Sequence, residues 1–87
     1  MHLQEVPLNH STIIRFSSPY SSHINLKVYN ALGQYVTTLT DNIYDKGEYE
    51  VAWDGRSRYG EVVSNGVYLY QLISEDGIYT RKMVMAK

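Results

Sequence analysis

The residues of this chain that are equipped for chemistry are few and scattered. His2, His10 and His23 lack the short spacing that puts two imidazoles on one zinc ion, and there is no cysteine to complete a zinc knot. Asp54 with Asp41, Asp45 or Glu61 is a candidate calcium set if these carboxylates converge at one end of the fold. The ligand density of a calcium loop is missing, however, and an aspartate that bonds its own turn is a sufficient account of Asp54. Serine, histidine and aspartate occur without a G-x-S-x-G elbow, and the stretch from Trp53 to Leu72 assembles no nucleophile, base and oxyanion donor. The expectation is a non-catalytic domain without a cofactor. Trp53 is a candidate sugar-stacking platform, but its place at the end of an alternating run favours core packing. Arg81 and Lys82, with Lys87, form either a patch read by a partner or charges that guard an edge strand. Asn9-His10-Ser11 is a glycosylation sequon only in a eukaryotic secretory host.

The elements that must position these residues are limited by size. Eighty-seven residues make one domain, whose folding buries roughly 60 to 65 % of the unfolded chain's surface. No disulfide can reinforce it. Eight Lys plus Arg against nine Asp plus Glu, a formal charge of -1, supply no field for nucleic acid or anionic lipid. No apolar run reaches the roughly 18 residues of a membrane span, and MHLQEVPLNHS has neither the basic nor the apolar region of a signal peptide. A soluble domain is expected, with any export signal upstream. Nine tyrosines against one phenylalanine suit a thin sandwich, where the ring fills the core edge and the hydroxyl reaches water or backbone.

Hydrophobic alternation predicts strands throughout and no helix of ordinary length. Residues 1–11 read as an irregular lead-in, with Pro7 excluded from a central strand. TIIRFS is the first strand, residues 17–22 a loop and INLKVYN the second strand, with Gly33 turning the chain into YVTTLT. Val36 and Leu39 are out of phase there, so a bulge or an early end is expected. Residues 41–47 read as a polar loop from which Ile43 and Tyr44 fold back over the core. EYEVAW, a brief strand near residues 61–63, VYLYQLI and IYTRKMVMA complete the set. VYLYQLI is apolar on both faces and reads as a central strand or a second contact surface. The predicted core is Ile14, Phe16, Ile24, Leu26, Val28, Val51, Trp53, Tyr68, Tyr70 and Leu72, with Met83, Val84 and Met85 joining from the last strand. Adjacent Arg81 and Lys82 must point to opposite faces, so at least one lies along the core edge. About seven short antiparallel strands form a β-sandwich.

Five stretches, taken in order, resemble a bacterial family. Pro7-Leu8-Asn9-His10-Ser11-Thr12 is similar to its N-P-F-N-P-S-T opening, with Val6 in place of the usual Asn and His10 in place of the second Pro. Val28 to Gln34 resembles V-Y-D-x-x-G-x, and Trp53-Asp54-Gly55 with Gly60 resembles W-D-G-x-x-x-x-G. Asn65-Gly66-Val67-Tyr68 resembles S-G-V-Y, and Arg81-Lys82-Met83-Val84 with Lys87 resembles R-K-M-V-x-x-K. The family comprises the immunoglobulin-like domain of flagellar hook-capping proteins and the type A sorting domain of type IX secretion cargo. The resemblance implies a seven-stranded immunoglobulin-like sandwich, 1–87, at the C-terminus of a larger exported protein. It also implies passage through the periplasm to the cell surface or medium, with an outer-membrane machinery protein reading the domain. A carbohydrate or cell-surface adhesion module, or a hook-capping-like assembly domain, is the alternative.

Overall fold

Side chains that alternate between apolar and polar bury one face of a strand at a time, and most of the seven strands of the described residues follow that pattern. The computed structural model describes residues 2–86. The strands are β1 (Leu3–Leu8), β2 (Ser11–Ser18), β3 (Ser22–Asn30), β4 (Tyr35–Tyr44), β5 (Gly47–Trp53), β6 (Gly66–Ser74) and β7 (Gly77–Met85). All pairings are antiparallel. One sheet has the order β1-β2-β5 and the other β4-β3-β6-β7. The inner faces of the two sheets meet in an immunoglobulin-like sandwich.

Ile14, Phe16, Ile24, Leu26, Val28, Trp53, Tyr68, Tyr70 and Leu72 are buried as the alternation predicts. Burying each apolar side chain of this size contributes about 1.5 to 3 kcal/mol. Tyrosine closes both ends. Phe16 packs edge-on to Tyr44 and stacked on Tyr49 at one end, and Trp53 meets Tyr68 with ring centroids 5.1 Å apart at the other. The hydroxyls leave the core as expected: Tyr49 donates to the Asp45 carbonyl, and Tyr68 donates to the Ser64 carbonyl four residues upstream at 2.6 Å. The second bond is the corner that tyrosine makes at the start of this strand in immunoglobulin-like sandwiches.

Several expectations are corrected. The lead-in is a strand, because β1 pairs with β2 from Leu3↔Phe16 to Leu8↔Ser11, and Pro7 is tolerated since β1 lies at a sheet edge. Residues 17, 18 and 22 belong to strands, leaving a three-residue link. Residues 41–44 extend β4, since two register shifts at Leu26/Lys27 and Val28/Tyr29 absorb the phase break at Leu39 and Val36 and let pairing continue to Ser22↔Tyr44. Tyr44 covers the core end but Ile43 is exposed. The strand expected near residues 61–63 is a single bridge between Arg56 and Val62. Val51 is only half-buried, because the edge position of β5 leaves it uncovered on one side. Val84 faces solvent, whereas Met83, Met85 and Val36 join the core.

Candidate functional site

Antiparallel pairing of β7 with β6 decides where each basic residue of the last strand points. Met83 and Met85 are buried, so odd positions face the opposite sheet and even positions face solvent. Arg81 is on the inner side. Its Nε lies 3.7 Å from Glu5 Oε1 on β1, and the same oxygen accepts a 2.5 Å hydrogen bond from the hydroxyl of Tyr70 on β6. Tyr70 is fully buried, and burial followed by the carboxylate contact pushes its hydroxyl well above the ordinary tyrosine range. Arg81, Glu5 and Tyr70 therefore tie the first strand to the last two across the sandwich.

Lys82 is placed differently. It stands on the outer face opposite Leu69, and among the described residues no carboxylate pairs with it. Lys82 and Val84, with Val67, Met83, Glu5, Pro7 and Thr12, border an open and mainly apolar groove of about 310 Å3 at the seam between β7 and β1. Lys87 lies outside the described residues. Nothing in the sequence singled out Glu5 or the groove, because both arise from strands far apart in the chain. Residues 1–11 do not read as a strand, so the inward position of Glu5 on β1 was not open to sequence reasoning either.

The W-D-G stretch builds the end of the sandwich beside this seam. Trp53 is buried and its indole N–H donates to the Arg56 carbonyl at 2.9 Å. Asp54 Oδ1 accepts the Arg56 amide at 3.1 Å, the self-bonding turn expected for it. Gly55, at φ 75°, lies where a Cβ would come within 3.4 Å of both the His10 carbonyl oxygen and the Met85 side chain. Glycine is thus what lets the first hairpin, this turn and the end of β7 converge. Gly60 turns the excursion back, and Gly66 begins β6 opposite Met85. Gly33 turns β3 into β4 with φ 84°, while Asn9 and His10 form the turn of the first hairpin. His10 has φ 68°. The proline that the resemblance places there could not adopt this angle, since its ring holds φ near about −65°.

The remaining candidates are dispersed. Asp41 lies 2.8 Å from His23, and among the described residues no three His, Cys, Asp or Glu side chains gather as a metal site. Trp53 presents no face to solvent. Exposed rings do cluster at Tyr35 and Tyr59, but the Arg58 guanidinium lies over both, 5.2 and 4.8 Å from their centroids.

The FlgD Ig-like domain family matches residues 10–77, from the first hairpin turn to the last. No protein of curated function matches the chain. Dimeric latent PorU from Porphyromonas gingivalis has a similar fold, with a TM-score of 0.77 at 22% identity over 98% of this chain and 9% of that one. FLGD from P. aeruginosa aligns with a TM-score of 0.69 at 21% identity, over 93% of this chain and 65% of that one. The chain therefore spans less than two thirds of either protein. With well over half of its residues matched, including the W-D-G turn and the tyrosine-rich β6, the chain belongs to the FlgD Ig-like domain family.

Proposed function

We propose that this domain is a non-catalytic sorting module that directs a larger cargo through type IX secretion to the cell surface, read by an outer-membrane machinery protein. The observation that carries this reading is Lys82. Within the stretch that resembles the close of a sorting domain, it is the charge that stands outward and unpaired among the described residues, beside an apolar groove. Arg81 is engaged with Glu5 and serves the fold. The cargo passes through the periplasm and ends at the cell surface or in the medium.

The test is a reporter fused ahead of this chain and expressed in a type IX host. Lys82→Ala removes an exposed charge, which ordinarily shifts stability by no more than about 0.5 kcal/mol, so the variant stays folded. Its reporter accumulates in the periplasm. Unchanged export of a demonstrably folded Lys82→Ala variant leaves the lysine as an edge guard. Membership in the FlgD Ig-like family favours a second reading, a flagellar hook-capping-like assembly domain. Wild-type fusion that is never exported supports that alternative.

A further inference from the structure

The four sheet edges of this sandwich are not equally protected. The β1 edge is six residues long and contains Pro7, β4 is broken by two register shifts, and β5 carries exposed Glu48 and Glu50. Each of these features discourages pairing with another chain. Strand β7 carries charges too, Arg81 and Lys82, but it has neither the short length and proline of β1 nor the register breaks of β4. It runs nine residues in unbroken register with β6, without an interior glycine or a proline, and among the described residues no strand pairs with its other side. Ile78 and Val84 are 63% and 62% exposed on its outer face.

We propose that the free edge of β7 accepts an extended, acidic segment of a partner protein as an added antiparallel strand. The chemistry of that segment follows from rows that already cross the outer face of the sheet. Reading from β6 to β7, these are Val67–Val84, Leu69–Lys82, Gln71–Thr80 and Ile73–Ile78. Opposite side chains on one face are the unit of sheet stabilisation. A strand that extends these rows presents an apolar residue beside Val84, a carboxylate beside Lys82, a polar residue beside Thr80 and an apolar residue beside Ile78. Main-chain hydrogen bonds supply binding and these alternate side chains supply selection.

A second copy of this chain is the poorer occupant. Strand β7 contains no acidic residue, so no register of a twofold β7 pair sets a carboxylate against Lys82, and registers centred on Lys82 or Arg81 set like charges face to face. The proposal concerns how the edge recognises a partner and holds whether or not that partner belongs to secretion machinery.

The probe is the peptide Val-Thr-Glu-Thr-Thr-Thr-Val, titrated into the isotope-labelled 87-residue chain while amide hydrogen exchange is followed residue by residue. Amides of β7 that point away from β6 become protected, and β4 amides do not. Methylating the peptide amides that face β7 abolishes the protection, whereas methylating those on its other edge does not. Lys82→Glu weakens binding by about threefold to tenfold, and a peptide with lysine in place of glutamate restores it. The proposal is overturned if no β7 amide gains protection at peptide saturation, or if both methylated peptides bind alike. It is equally overturned if β7 protection grows with protein concentration alone, which makes the edge a self-association site.

Discussion

Glu5→Ala removes the carboxylate that joins three strands, and its cost can be worked from the contacts it leaves behind. Tyr70 is fully buried, and its hydroxyl has Glu5 Oε1 as its acceptor at 2.5 Å. Deleting that acceptor strands a buried hydroxyl, which costs about 1 to 3 kcal/mol. The Arg81 pair adds little, because 3.7 Å and a half-exposed guanidinium put it among surface ion pairs worth about 0.2 to 1 kcal/mol. The sum is roughly 1 to 4 kcal/mol, or a fall in Tm of about 5 to 30 °C for a domain of this size. Thermal melts followed by far-UV circular dichroism read this directly. The double variant Glu5→Ala/Tyr70→Phe removes both partners, so it should be more stable than the sum of the single losses predicts, with a coupling of about 1 to 2 kcal/mol. Glu5→Gln keeps an acceptor and stays within about 1 kcal/mol of wild type. A Glu5→Ala Tm within 2 °C of wild type, or a coupling near zero, refutes the cross-sheet tie.

The raised pKa of Tyr70 has an alkaline consequence. Above about pH 10 the unfolded chain releases this proton while the folded one keeps it, so stability falls with pH, by at most about 1.4 kcal/mol per unit from this group, and Tyr70→Phe flattens the decline in denaturant midpoints. Trp53→Ala empties a buried site and removes the indole donor to Arg56, costing about 3 to 5 kcal/mol by urea unfolding; a loss under 1 kcal/mol puts Trp53 outside the core. Gly33→Ala meets nothing within 4 Å and loses about 1 kcal/mol to its left-handed φ alone, whereas Gly55→Ala must also displace the His10 carbonyl or Met85 and loses more. Equal losses at the two glycines would mean that close packing at Gly55 is immaterial. His10→Pro should open the first hairpin, seen as faster amide exchange in β1, because proline cannot hold φ 68°.

Alternation alone made much of this fold legible. Ile24, Leu26 and Val28 on β3, and Tyr68, Tyr70 and Leu72 on β6, were placed correctly because a period of two leaves one face apolar whatever the partner strand is. Asp54 was legible as a turn residue for a similarly local reason, since self-bonding belongs to the residue itself. Tertiary pairing decided what alternation could not. L-Q-E-V-P-L does not read as a strand, with a carboxylate facing inward and a proline near its end. It is held as one by the ladder to β2 and by an acceptor role for Tyr70. Residues 41–44 look like a loop until bulges opposite β3 restore their register. The neighbours Arg81 and Lys82 are nearly equivalent by sequence, and period two says only that they diverge. Which of them is tied down depends on Glu5, seventy-six positions away from Arg81 in the chain, because burial and charge pairing are properties of the closed sandwich and not of either strand.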